Sequence, residues 1–361
     1  MIGGGTPDTN NSSYWNGNIQ WFTPSEIGKD KYVTYSQRTI TVQGLECSSA
    51  KILPANTILL STRATVGECS INTMECSTNQ GFQSLIAKTN IHFEFLYYLI
   101  QTKRKDLIRN ACGSTFLEIS ANEVRRIKVC YPKRNEQEKI VSLLHLLDER
   151  IATQNKIIEK QQSLIKGIGD KLLFNDAWTT TRLCDILTER IEKSKTNNQH
   201  EVLSSTVKGI YSQREYFSKD IASENNVGYK IIYLHDIVLS PQNLWMGNIN
   251  YNNRFDVGIV SPSYKIYKVS SKFDKYFISF ILKTHRALYN YELVSEQGAS
   301  VVRRNLNMEA FEQLTFKIPS YNLQVKIGRA LSLLQNQVDN ALAIKQTYDR
   351  QKQYLLSQMF I

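Results

Sequence analysis

The sequence predicts an α+β fold: two globular segments separated by an antiparallel two-helix coiled coil, arranged as a pseudo-two-fold tandem repeat. Three observations predict it. The first is an internal repeat, found by sliding the sequence against itself by 187 positions. Pro132, Asn135, Gln137, Lys139, Ile140, Leu144, Leu146 and Leu147 then fall on Pro319, Asn322, Gln324, Lys326, Ile327, Leu331, Leu333 and Leu334, eight identities in the sixteen positions 132 to 147. Shared helical periodicity could align the leucines. It gives no reason for the Pro, Asn, Gln and Lys to coincide.

The second observation is a heptad seam in each copy. Ile140, Leu144, Leu147, Ile151, Gln154, Ile158, Gln161, Ile165, Ile168 and Leu172 are spaced alternately by four and three residues. The second copy repeats the spacing at Ile327, Leu331, Leu334, Val338 and Ala341, weakens around Lys345, Tyr348 and Lys352, and recovers at Leu355 and Met359. Pro132 should delay the first helix, and Asn135 with Glu138 should form a capping box at its start. The second globular segment joins the end of the first helix to the start of the second, so paired helices must run antiparallel. The expected layout is a dumbbell with a globular segment at each end of a rod.

The third observation is alternation of apolar and polar residues outside the rods. Thr57 to Ser61 and Ser263 to Val269 read as half-buried strands, and Phe93 to Arg109 and Lys272 to Tyr291 as helices. The expected division is a first globular segment at 1–134, a spacer helix at 135–175, a second globular segment at 176–321 and a second spacer helix at 322–361.

Charge narrows the class of partner. The 361 residues carry 44 Lys+Arg against 33 Asp+Glu, a net charge of +11 that favours a polyanion. The excess is +5 in residues 1–134, zero in 135–175, and +3 in each of 176–321 and 322–361, so no single tail carries it. The six cysteines form no C-x-x-C pair and read as reduced structural thiols. No run of 18 apolar residues occurs and the chain opens on Met1-Ile2-Gly3, so neither a membrane span nor a secretory leader is expected, and the expected location is the cytoplasm.

No chemistry-bearing motif emerges. There is no Gly-x-x-x-x-Gly-Lys-Ser/Thr, and Gly3-Gly4-Gly5 lacks an upstream strand. Ser261-Pro262-Ser263-Tyr264 lacks the Asn or Asp first residue and the second proline of the adenine-methyltransferase base-flipping motif. His92, His145, His200, His235 and His285 stand apart from one another and from cysteines or carboxylates at ligand spacing. No catalytic residue, cofactor or metal site is expected.

The order Gly4-Gly5-Thr6-Pro7, Tyr14-Trp15, Trp21-Phe22-Thr23-Pro24, Leu60 through Gly67, Thr78-Asn79-Gln80-Gly81-Phe82 and the helix entry at Pro132 to Leu147 resembles the specificity (S) subunit of type I restriction-modification enzymes. The second half resembles it more loosely, with Leu239-Ser240-Pro241 through Met246-Gly247 in the place of Leu60 through Gly67. The resemblance implies that the globular segments are two target-recognition domains, each reading half of a bipartite, asymmetric site in double-stranded DNA. It implies that the helices set the gap and dock two methyltransferase (M) subunits, with restriction and translocase (R) subunits completing the complex. The chain would then be the non-catalytic targeting subunit of a DNA adenine methyltransferase and restriction endonuclease. The alternative is a basic coiled-coil scaffold for other proteins.

On that reading Arg63, Thr65, Asn79, Gln80, Ser114 and Thr115 in the first copy, and Gln242, Asn243, Arg303 and Arg304 in the second, are expected on the DNA-facing side. Asn and Gln suit adenine edges, Arg suits guanine or phosphate, and phosphate contact is expected for Arg303 and Arg304. Leu143, Leu146, Ile157 and Leu164 are apolar off the seam and are expected to bind partner subunits. Residues Asp176 to Glu189 precede the point in copy two that aligns with Gly3 and have no counterpart in copy one. The first domain is therefore expected either to lack an opening strand or to cover that edge with another element.

Overall fold

The computed structural model describes residues 1–113, 117–172, 177–216, 225–297 and 303–360. They form two compact units, Met1–Gln154 with Ile344–Ile361, and Asn155–Ala343.

In the first unit, strand Ile58–Leu60 pairs antiparallel with Cys69–Asn72, which pairs in parallel with Tyr32–Val33. A second sheet pairs Trp15–Phe22 antiparallel with Arg38–Ile40 and in parallel with Cys76–Thr78. Helix Phe93–Thr102 presents Phe95, Tyr98 and Leu99 at helical spacing to a core that includes Ile58, Leu60, Ile71, Leu107 and Val124. In the second unit a four-stranded antiparallel sheet runs in the order Leu187–Glu189, Lys265–Val269, Ile237–Leu239, Ile249–Tyr251. Helix Lys275–Ile281 lays Phe277, Ile278 and Ile281 on that sheet. The single helices expected at 93–109 and 272–291 are each broken. Lys103 separates Phe93–Thr102 from Arg104–Arg109, and Thr284 starts His285–Leu293 by accepting a hydrogen bond from the Ala287 N–H.

The repeat extends beyond its sixteen aligned positions. Ser120 and Asn307, 187 apart, each cap a short helix with the side chain, and Val124 and Phe311 are the buried residue of those two helices. One segment differs. Thr179–Arg182 pairs antiparallel with Thr315–Ile318, and Leu187–Glu189 pairs with Lys265–Val269. The first-copy counterpart of Thr315–Ile318 is Lys128 to Tyr131, whose backbone pairs with no described residue and whose Val129 and Tyr131 are exposed.

Both long helices are 39 residues, Arg134–Leu172 and Tyr321–Met359, each about 59 Å at 1.5 Å per residue. The first begins before Asn135, which corrects the expected capping box. Glu138 is bonded to Arg134 Nε at 2.9 Å, and the first turn closes on the Lys133 carbonyl. The helices run antiparallel within each unit. Asp148 meets Lys352 and Arg150 meets Tyr348 in the first unit; Gln161 meets Gln337, and Ile158 packs with Val338 and Ala341, in the second. No helix of the described residues is long and apolar enough to cross a membrane.

A chain of charged groups ties the first unit together. The Lys31 ammonium bonds Glu94 and the Tyr98 hydroxyl, both at 2.8 Å. Tyr98 donates to Asp148 Oδ2 at 2.5 Å, and Lys352 donates to Asp148 Oδ1 at 2.6 Å. Burial, then the neighbouring Asp148, push the Tyr98 hydroxyl upward, so it stays a donor. Asp148→Ala removes the acceptor from both donors and should cost about 2 to 3 kcal/mol. The check is urea unfolding, where the midpoint should fall at constant slope; an unchanged midpoint would show that solvent replaces Asp148 without penalty.

Candidate nucleic-acid interface

The sequence-predicted residues of the first copy gather at the end of strand Ile58–Leu60. The chain leaves the strand at Ser61 and returns at Gly67, whose N–H bonds the Ser61 carbonyl at 3.0 Å. Ser61 Oγ lies 3.0 Å from Thr65 Oγ1 and donates to the Arg63 carbonyl. Ala64 and Gly67 both have positive φ, 63° and 85°, which turns the chain tightly enough to leave Arg63 and Thr65 exposed. Thr62 holds the neighbouring turn by donating from N and Oγ1 to the Gly81 carbonyl, while Asn79 Oδ1 accepts the Gly81 N–H at 2.9 Å. Gln80 is exposed and accepts from Thr6 at 2.5 Å. A third segment joins them, since Ala64 N bonds the Leu117 carbonyl and Ile119 N the Thr62 carbonyl. Arg63, Thr65, Asn79 and Gln80 therefore belong to one loop cluster. Ser114 and Thr115 lie outside the described residues.

Arg63 faces Glu118 at 3.6 Å, with both side chains about half exposed. Such a pair is worth little in water, so the guanidinium is available to exchange this partner for another anion.

In the second copy the corresponding strand, Ile237–Leu239, leads into a 3₁₀ segment, Pro241–Met246, that ends on Gly247 at φ 90°. Gln242 is exposed and Asn243 half-buried, its Oδ1 without a hydrogen-bond partner among the described residues. Arg304 is brought to this segment, but not as a free cation. Its guanidinium lies 4.2 Å from the centre of the Trp245 ring and bonds Glu292 at 3.1 Å. Arg303 is the exposed member of the pair.

The seam residues are buried or half-buried wherever their side chains are described; that of Leu172 lies outside the description. Ile140 and Leu144 join the first unit's core together with Leu355 and Met359, and Ile327 and Leu331 the second's together with Ile165 and Ile168, so the opening turns of each helix share a core with their globular segment and with the closing turns of the other helix. Leu143, Leu146, Ile157 and Leu164 are 41, 56, 37 and 48% exposed, off both cores.

Sequence reasoning missed a cleft of about 1120 Å³ in the second unit. Lys166 and Arg329 line it from the long helices, and Lys208, Arg254 and Lys283 from the globular segment, together with Tyr211, Tyr251 and Tyr276. Arg254 is held by Glu215 at 2.6 Å. Much of Lys283 is exposed, but its ammonium turns inward to Asn250 Oδ1 at 2.6 Å, and loss of water lowers its pKa below the ordinary lysine value. These cations come from separate segments, so no local pattern could have grouped them; net charge was the only trace. Among the described residues no three His, Cys, Asp or Glu side chains are placed to hold a metal ion.

Residues 1–161 match the family model of the type I restriction modification DNA specificity domain. The type I restriction enzyme MjaIX specificity subunit of Methanocaldococcus jannaschii is 32% identical over 253 residues, 63% of this chain and 57% of that relative. The EcoR124I/EcoR124II specificity subunit of Escherichia coli is 30% identical over 153 residues, 40% of this chain and 38% of that relative. The chain thus spans little more than half the length of the first of these relatives and less of the second. Among solved structures, an S subunit of a type I restriction-modification system from M. genitalium superposes with a TM-score of 0.59 at 15% identity, covering 99% of both chains. A chain from a structure of type I R-M complex assembly and conformational transition gives 0.54 at 14%, covering all of this chain and 94% of that one. At such identities the likeness is one of fold.

Proposed function

We propose, from the match of residues 1–161 to the type I restriction modification DNA specificity domain, that the chain is the DNA-reading subunit of such a system, with its two globular segments each reading half of an interrupted, asymmetric site. One observation carries the reading. In both copies a fully buried strand, Ile58–Leu60 or Ile237–Leu239, delivers a polar loop closed by a left-handed glycine, Gly67 or Gly247, and the loop differs in sequence between the copies. A constant frame with variable tips is what two readers of different bases need. The exposed leucines and isoleucine on the long helices support docking of methyltransferase subunits there, through which restriction subunits would join. In this assembly the chain supplies the address and its partners the chemistry.

The test is to map methylated adenines in DNA modified by the reconstituted complex. Two half-sites flanking a fixed run of unread bases are expected; a continuous site or a short palindrome would overturn the reading. Arg63→Ala should then cost about 1 to 3 kcal/mol and relax base preference in one half-site only. Arg303→Ala should weaken every sequence alike. Affinity measurements on duplexes substituted one base at a time distinguish the two, and no change for either variant would remove these residues from the interface.

A further inference from the structure

The repeat contains an identity that DNA reading does not use. Gln137 and Gln324 are 0% and 2% exposed, an unusual position for a polar side chain 187 residues apart in two copies. Both share two kinds of bond, and Gln137 adds a third. Gln137 Oε1 accepts the His92 N–H at 2.8 Å, and its amide nitrogen donates to the Pro132 carbonyl at 2.8 Å and the Asn90 carbonyl at 3.2 Å. Gln324 Oε1 accepts the Asp274 N–H at 2.9 Å, and its nitrogen donates to the Pro319 carbonyl at 2.9 Å. His92 and Asp274 are the N-cap residues of helices Phe93–Thr102 and Lys275–Ile281, which line the cores of the two globular segments. One amide thus joins three pieces in each copy: the globular segment's helix, the chain entering the long helix, and the long helix itself. Glutamine alone combines donor and acceptor at this reach; Glu loses the donor and buries a charge, while Met keeps the volume and orphans both backbone groups.

One turn further on the copies part. Gly328 brings the second long helix so close that a Cβ there would lie 2.5 Å from Asp274 Oδ1 and 2.7 Å from the Phe277 nitrogen. Its counterpart 187 residues earlier is Val141, which is buried against the first core. The same clip therefore seats the two globular segments on their helices at different separations.

We propose that Gln137 and Gln324 are positioning residues that fix the angle of each globular segment on its long helix, and through it the number of unread base pairs the complex accepts between half-sites. The proposal rests on the reading of the chain as a two-part DNA reader. A clip at the junction is the fulcrum of each segment, so a small rotation there displaces the reading loops far more than the junction itself.

The experiment uses the reconstituted methyltransferase complex and a set of duplexes with both half-sites intact and the spacer lengthened or shortened one base pair at a time. The wild type should methylate one spacer length far faster than its neighbours. Gln137→Met and Gln324→Met should each shrink that preference by about tenfold, with both half-sites still read. Gly328→Val, which keeps Gln324 but wedges the junction at Asp274, should move the preferred length. Leu331→Ala, a core truncation beside the second clip, controls for lost stability and should slow all spacers in proportion. Glutamine variants that are folded at the assay temperature and keep the wild-type spacer ratios would overturn the proposal. A wild type that modifies no interrupted site would instead overturn the underlying reading.

Discussion

Raising monovalent salt from about 50 to 200 mM is expected to weaken duplex DNA binding by this protein about a thousandfold, because each neutralised phosphate releases a condensed counterion. The cleft of the second unit offers Lys166, Lys208, Lys283 and Arg329, and the loop cations Arg63 and Arg303 are exposed. Six phosphate contacts imply a slope of log affinity against log salt near −5. Removing two of them with Lys208→Met and Lys283→Met should reduce the slope by about two. Lys283 is the more telling, since its ammonium is already drawn out of water and a phosphate in the cleft would offset that cost. Fluorescence anisotropy across a salt series gives the slope directly. A slope close to zero would mean that the basic surface meets something other than DNA, which is the scaffold reading.

Seven residues inserted after Gln154 and seven more after Ala343, where the two units divide, should lengthen the unread spacer by about three base pairs and leave both half-sites unchanged. Seven residues add roughly 10 Å and preserve the heptad seam, so the helices still pair, and 10 Å is about three base-pair steps of B-DNA. On its native site the modified complex should be nearly inactive; on the lengthened site it should recover. Adenine mapping decides the matter. If the insertions altered the bases read while the spacing stayed put, the helices would not be the ruler.

The periodic and covalent features of the chain were legible in the sequence. A 187-residue repeat, a four-three apolar spacing and a strand ending in a polar run need only neighbours along the chain, and each appears where those neighbours dictate: two 39-residue helices and the strand Ile58–Leu60. Part of the candidate interface was legible for the same reason, because Arg63 and Thr65 lie on one loop and Asn79 and Gln80 on the turn hydrogen-bonded to it. The expected capping box failed because Pro132 and the Gln137 amide already organise the helix start, leaving Glu138 to pair with Arg134.

What tertiary structure decided is whatever depends on groups distant in sequence meeting in space. Arg304 is engaged by Trp245 and Glu292, so a cation that composition counts toward phosphate binding is already spent within the fold. Asp148 reads as one more charge on a helix, yet it collects Tyr98 from the globular segment and Lys352 from the other long helix. The matched glutamines announced themselves as identities, but their purpose required seeing two buried backbone groups at the N-caps of two other helices. Side-chain period follows from the geometry of one element and can be read from one sequence. Partnership between elements is set by three-dimensional packing, where a buried donor must find its acceptor wherever the chain has brought one.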